Sequence, residues 1–112
     1  MLTMEILGQF GADTADGLAR CLNNEGFYLK MVNMGLKDAH FETLEHALEA
    51  GDLNGAFEAA HALKGILGNL ALTPLYTPLS EITEQLRSRT PGDYLPAYRD
   101  ILALREKLLA QA

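Results

Sequence analysis

Hydrophobic residues recur through most of this 112-residue chain at intervals of three and four positions. That spacing gathers them on one face of an α-helix, whereas a half-buried strand would need strict alternation of apolar and polar residues. No sustained alternating run is present. The pattern therefore predicts an all-α fold.

The first principal helical stretch is predicted over residues 25–50. Asn23 and Asn24, just before it, are residue types favoured at the N-cap. Gly35 lies inside the stretch, and glycine costs about 1 kcal/mol relative to alanine in a helix interior. The stretch is therefore either one bent helix or two short helices.

Before this stretch, residues 1–13 are predicted to form a loose N-terminal arm. A short additional helix follows, with Thr14 or Asp16 as its cap and its end at Cys21. A length of 112 residues suits one compact core, so we expect a single domain over residues 1–112.

The Gly51-Asp52 pair marks the next helix boundary. Gly51 suits the left-handed position after a helix, and Asp52 suits the N-cap of the following one. The second principal helix is then predicted from Leu53 to about Leu70.

Two Thr-Pro pairs compete for the start of the third helix. Thr73-Pro74 and Thr77-Pro78 each place a cap residue before a proline at the first helical position, and only one can be the start. The fourth helix is predicted over residues 94–110. Short connections favour antiparallel neighbours, so we expect an antiparallel up-down four-helix bundle with a short additional N-terminal helix.

The helix that starts at Leu53 has two distinct faces on a wheel of about 100° per residue. His61 lies on the polar side and is expected to face solvent. Its neighbours there are Asn54, Glu58, Gly65 and Gly68. The apolar side, which is expected to face the core, consists of Leu53, Ala56, Ala60, Leu63, Leu67 and Leu70.

The residues around His61 suit phosphoryl transfer. Neutral imidazole is a competent nucleophile at physiological pH. Gly65 and Gly68 are unfavourable in a helix by about 1 kcal/mol each, and their bare backbone leaves room for a phosphoryl group and a partner protein. Lys64 carries a flexible ammonium that can reach a phosphate on His61. No carboxylate cluster accompanies the histidine, so we expect no cofactor in this chain and Mg²⁺ to come from a partner.

The segment AHALKGILGNL, residues 60–70, resembles the signature of histidine-containing phosphotransfer (HPt) domains. That signature is His-x-Leu-Lys-Gly followed by small residues and often Asn-Leu-Gly. The likeness extends over most of residues 15–90. The chain departs from it at Ala71, where the family often has glycine, and at Ile66 and Leu67, where serine or alanine is common.

The resemblance implies a role in a multistep two-component phosphorelay. It implies that His61 is the phosphoacceptor, that Lys64 assists the phosphate and that Gly65 keeps the docking surface open. It also implies receiver domains of response regulators as partners, with a sensor or hybrid histidine kinase upstream. The chain would then be a phosphoryl carrier without autonomous kinase activity.

Further docking residues are expected around the phosphoacceptor. They are Gly68, Glu58 and Ile66, with Met34 and Lys37 as additional candidates from the preceding helix. Glu58 is either solvated or hydrogen-bonded to the imidazole. Phe57 is expected in the core.

Composition and charge narrow the class of protein. The net charge of −6 and the scattered basic residues argue against a nucleic-acid binder, which needs a basic patch. No apolar run is long enough for a membrane span, and residues 1–5 lack the basic and apolar regions of a secretion signal. Cys21 is the only cysteine and is expected to be a small buried hydrophobe. We therefore expect a cytoplasmic protein that acts as a monomer.

Two other classes of function stay open. A non-phosphorylated adaptor would use the same helical bundle only to bind a signalling partner. A small enzyme or metalloprotein would need converging polar groups. His40 and His46 are six residues apart and do not share a helix face, so we expect no metal site.

Overall fold

A computed structural model describes all of residues 1–112, which form seven helices and no strand. In chain order the helices are α1 (Met4–Phe10), α2 (Thr14–Arg20), α3 (Glu25–Leu36), α4 (His40–Ala50), α5 (Leu53–Asn69), α6 (Thr73–Arg87) and α7 (Leu95–Leu109). None of them has both the length and the apolar character that crossing a membrane requires. The predicted all-α fold is confirmed.

Helices α4 to α7 form the four-helix bundle. α5 packs against both α4 and α6, and α7 closes the bundle by packing on α6 and α4. Short connections between successive helices make neighbours antiparallel, as predicted. Tyr98 of α7 is fully buried, and its hydroxyl donates a hydrogen bond to the Phe41 carbonyl oxygen of α4 at 2.7 Å. The fully buried leucines of the bundle are Leu44, Leu63, Leu67, Leu75, Leu79 and Leu86.

Residues 25–50 form two helices rather than one bent helix. Asn24 caps α3 as predicted, since its side-chain oxygen accepts a hydrogen bond from the Phe27 N–H at 3.0 Å. Asp38 lies in the break between the helices and accepts a hydrogen bond from the His40 N–H at 2.8 Å. This local bond favours ending α3 and starting α4 in a new direction.

The prediction of a loose N-terminal arm over residues 1–13 was wrong. Thr3 caps α1, because its hydroxyl accepts a hydrogen bond from the Ile6 N–H at 3.1 Å. Leu7 is 0% exposed and Leu2 is 5% exposed, so both belong to the same core as the bundle. A segment this short carries little periodic signal, and its burial depends on contacts with distant parts of the chain.

The cap of α2 also differs from the prediction. The capping side chain is Asp13, whose carboxylate accepts a hydrogen bond from the Asp16 N–H at 3.2 Å. Thr14 is instead the first helical residue. α2 ends at Arg20, and the following Cys21 is buried, as expected of a small hydrophobe.

The two ends of α5 are fixed by left-handed residues and by hydrogen bonds to the backbone. Before the helix, Gly51 has φ +71° and the Asp52 carboxylate accepts a hydrogen bond from the Gly55 N–H at 3.0 Å, as predicted. After the helix, Ala71 takes the same left-handed conformation, with φ +56°. The Ala71 carbonyl oxygen accepts a hydrogen bond from the Asp13 N–H at 2.9 Å. This bond joins the N-terminal segment, residues 1–20, to the end of α5.

Neither Thr-Pro pair starts α6 in the predicted way. Thr73 is the first helical residue rather than a cap, and Leu72 before it provides no side-chain hydrogen bond. Pro74 lies in the first turn, where a missing N–H is harmless, but Pro78 lies inside the helix. Because Pro78 has no N–H, the Pro74 carbonyl oxygen lacks an intrahelical donor.

Candidate functional site

The middle of α5 presents His61 to solvent. Ala60 and Leu63 are fully buried on the apolar side of the helix, whereas His61 is exposed. Burial of the apolar stripe fixes the rotation of the helix, so the polar stripe must face outward. The predicted exposure of this imidazole is confirmed.

The imidazole of His61 has a different neighbour on each side along the helix. One turn before it, the Phe57 ring stacks on the imidazole with centroids 5.7 Å apart and planes inclined by 24°. Helical side chains lean toward the N-terminus, so this stack follows from ordinary rotamers. One turn after it, a Cβ at Gly65 would meet no atom within 4 Å. The imidazole is therefore covered on the Phe57 side and open on the Gly65 side.

Phe57 is half-buried rather than a core residue, which corrects the prediction. Two guanidinium groups lie over its ring, from Arg87 at 5.0 Å and Arg89 at 4.8 Å from the ring centroid. Arg89 Nε also donates a hydrogen bond to Asn54 Oδ1 at 2.6 Å. The C-terminal end of α6 thus packs on the N-terminal half of α5 and brings positive charge toward His61.

Lys64 is held beside the site by an acidic residue of α6. Its Nζ lies 3.5 Å from Glu84 Oε1, and Glu84 Oε2 lies 3.3 Å from Arg87 Nε. The hydrogen bond and charge of Arg87, together with those of Lys64, lower the pKa of the Glu84 carboxyl. Ion pairs at the protein surface are weak, so the exposed Glu84 restrains the ammonium only loosely.

A groove of about 610 Å³ runs beside the imidazole, between α2, α5 and α6. His61, Lys64 and Gly65 line it from α5. Its other wall includes Asp16 and Arg20 of α2, which pair at 3.0 Å. The N-terminal segment is therefore part of the surface around the histidine, a placement that sequence reasoning missed.

Gly68 has an internal neighbour that Gly65 lacks. A Cβ at Gly68 would lie 3.1 Å from Tyr76 Cε2 of α6. Gly68 lines the groove and also faces α6, where an added Cβ would come closer to the Tyr76 ring than side chains ordinarily allow. Its role in docking stays a prediction.

Glu58 and Ile66 do not line the groove beside His61. Glu58 is exposed, and no side-chain hydrogen bond on this part of α5 joins it to the imidazole, so it is solvated. Ile66 is half-buried and lines a separate groove of about 290 Å³ with Met34 and Gly35. Of the predicted docking residues, Gly65 and Gly68 thus line the groove beside His61, Ile66 and Met34 line the second groove, and Glu58 lines neither.

The chain has three histidines, and one of them lines the groove. His40 pairs locally, with its Nδ1 2.6 Å from Asp38 Oδ1. His46 is exposed on α4. No three His, Cys, Asp or Glu side chains gather in a way that suits a metal ion.

Sequence reasoning missed the residues that α6 contributes to the site. Glu84 lies 20 positions from Lys64 along the chain. The sequence does place an acidic and a basic residue three positions apart, Glu84 and Arg87, which favours a pair on one helix face. Only the packed bundle shows which neighbouring helix that pair faces. Tyr76 and Arg89 carried no comparable signal.

Comparison with known families gives one match. A family model described as Hpt domain matches residues 38–112, which is more than half of the chain and includes α4 to α7 with the His61 segment. Residues 1–37 lie outside the match. No curated protein and no solved structure matches the chain at a significant level.

Proposed function

This chain belongs to the Hpt domain family, and on that premise we propose that His61 carries a phosphoryl group between receiver aspartates in a multistep phosphorelay. Hpt domains are phosphocarriers of two-component signalling, and they interact with receiver domains and histidine kinases. The observation that carries the assignment to His61 is its exposed ring beside the open backbone of Gly65.

The proposed step is a displacement at phosphorus. The unprotonated ring nitrogen of His61 attacks the phosphorus of an aspartyl phosphate, so an N–P bond forms while the O–P bond to the aspartate breaks. The aspartate leaves as a carboxylate. The ring holds the positive charge until its other nitrogen releases a proton to water. The reverse reaction returns the phosphoryl group to a second receiver.

Two neighbours have defined parts in this proposal. Lys64 exchanges its weak pairing with Glu84 for the phosphoryl oxygens, which carry the charge that must be neutralised. Gly65 leaves the approach to the imidazole open, so that a receiver can bring its aspartate into line. Since no cluster of metal-ligating side chains surrounds His61, the receiver is proposed to supply Mg²⁺.

Transfer from purified, phosphorylated receiver domains tests this function. The chain is expected to gain a phosphate that is acid-labile and base-stable, and His61→Gln to abolish the gain with helicity unchanged. His46→Gln is the matched control, because His46 is also exposed on a helix but lies outside the groove. Receiver binding that survives His61→Gln, with no phosphate gained by the unmodified chain, would instead indicate an adaptor.

A further inference from the structure

We propose that Phe57 is a positioning residue for His61 and that Arg89 holds Phe57 in place. The inference rests on the proposed function, because positioning matters only if the imidazole is the nucleophile. It concerns the turn of α5 before His61, whereas Lys64 and Gly65 lie after it. Nothing in the spacing of the sequence distinguishes this phenylalanine from a core residue.

The stack is the contact that orients the imidazole. Its centroid distance of 5.7 Å and its inclination of 24° lie within the range of offset-stacked aromatic pairs. Nearby side-chain hydrogen bonds involve Asn54, Lys64 and Arg89, and none involves His61. An exposed imidazole without a hydrogen bond would otherwise be free to change rotamer.

Arg89 is fixed more firmly than its neighbour Arg87. Its Nη1 donates hydrogen bonds to the carbonyl oxygens of Leu86 at 2.9 Å and Arg87 at 3.1 Å, and its Nε donates to Asn54 Oδ1 at 2.6 Å. Arg87 Nε makes one bond, to the exposed Glu84. Three bonds hold the Arg89 guanidinium at 4.8 Å from the centroid of the Phe57 ring.

The backbone of Arg89 supports a dedicated role. Arg89 has φ +53°, in the left-handed region that favours glycine. This conformation turns the chain at the end of α6 so that the guanidinium points back to α5. Arginine is unfavourable in this conformation, and the turned backbone places its guanidinium against the Phe57 ring.

Positioning should act on the transfer step rather than on binding. Stacked aromatic pairs favour one arrangement by about 2- to 10-fold in population. If the stacked rotamer is the one that attacks phosphorus, loss of the ring lowers the transfer rate constant by a similar factor. The affinity for the receiver would change little, because Phe57 does not line the groove.

The experiment compares the unmodified chain with Phe57→Leu, Phe57→Tyr and Arg89→Gly. Single-turnover transfer from a phosphorylated receiver is measured over a range of receiver concentrations, and the ring-proton NMR shifts of His61 are recorded. Phe57→Leu is expected to lower the saturating rate constant about 3- to 10-fold, to leave the half-saturating concentration unchanged, and to remove the upfield ring-current shift. Phe57→Tyr should keep the saturating rate constant and the ring-current shift of the unmodified chain.

Arg89→Gly removes the guanidinium contact with Phe57 without straining the fold, since glycine readily adopts the left-handed backbone conformation of residue 89. It should reduce the His61 ring-current shift in part and slow transfer about 2-fold while the protein stays folded. The proposal is overturned if Phe57→Leu transfers at the unmodified rate, or if it slows transfer without changing the His61 shifts. Failure of the unmodified chain to accept any phosphate would instead overturn the proposed function.

Discussion

The exposed face of α5 after His61 has an open half at Gly65 and a covered half at Gly68, which look alike in sequence and differ in structure. A Cβ at Gly65 would meet no atom within 4 Å, whereas a Cβ at Gly68 would lie 3.1 Å from Tyr76 Cε2. The glycine of the covered half therefore has a reason within the molecule, namely close packing of α5 on α6. The glycine of the open half has none, although it costs about 1 kcal/mol of helix stability. A cost with no internal compensation points to a requirement imposed by a partner.

The largest expected effect is on transfer and comes from filling the open half. Gly65→Leu should lower the single-turnover rate of transfer from a phosphorylated receiver by about 100-fold, because a displaced partner loses in-line geometry. Its free energy of unfolding, measured by urea titration, should not fall, since leucine is a strong helix former and the position is open. Transfer at the unmodified rate would show that the open half is not an approach path.

The same substitution in the covered half should act on stability instead. Gly68→Leu is expected to lower the free energy of unfolding by about 2 kcal/mol, because the added side chain overpacks against Tyr76. Urea titration of Gly68→Leu, Tyr76→Ala and the double variant forms the test. The two changes should be strongly non-additive. If Gly68→Leu lowered the free energy of unfolding equally with and without the Tyr76 ring, overpacking against that ring would not be the cause.

The far end of the covered half is held by Tyr28, and this contact predicts a pH dependence. Its hydroxyl donates a hydrogen bond to the Leu70 carbonyl oxygen at 2.7 Å, and burial raises its pKa to about 12 from a usual 10.0. Because the folded-state pKa is the higher one, the stability it contributes is complete below pH 10.0 and is lost as the pH rises through about 12.

Tyr28→Phe should therefore lower the free energy of unfolding by about 1 kcal/mol at neutral pH and weaken the alkaline decline. Some decline should remain, because burial also raises the pKa of Tyr98. Urea titrations at neutral pH and at a pH of about 11 would measure both effects. An alkaline decline as steep as that of the unmodified chain would rule out this contribution of Tyr28.

The smallest expected effect comes from a pair of opposite exchanges, one just after α5 and one within it. Ala71→Gly should raise the free energy of unfolding by about 0.5 kcal/mol, because Ala71 has φ +56°. Gly65→Ala should also raise it, by about 0.5–1 kcal/mol, because the helix gains propensity without a clash. Thermal and urea unfolding of both variants would check the signs. A lower free energy of unfolding in either variant would mean that an effect other than backbone conformation decides the stability at that position.

Local sequence signals were sufficient to predict where α5 begins and which of its faces carries His61. Gly51 and Asp52 act within one helical turn, so the boundary before α5 was predictable from the sequence. The apolar stripe of the same helix placed His61 outside. Both signals are properties of a single helix and need no knowledge of its neighbours.

The surroundings of His61 could not be predicted in the same way. Tyr76 and Arg89 reach α5 through packing between helices, which local spacing does not encode. Phe57 was expected in the core, whereas the packed helices leave it half-buried against the imidazole. The error over residues 1–13 has the same physical origin, since Leu7 is buried by contacts with remote elements.

The central claim, that His61 is the phosphoacceptor, is tested most directly by locating the phosphate. The chain should be incubated with a phosphorylated receiver, digested at alkaline pH and examined by tandem mass spectrometry. Among its three histidines, the phosphate is expected on His61 and on neither His40 nor His46. A phosphate found on either of the other two, or on no histidine, would contradict the account.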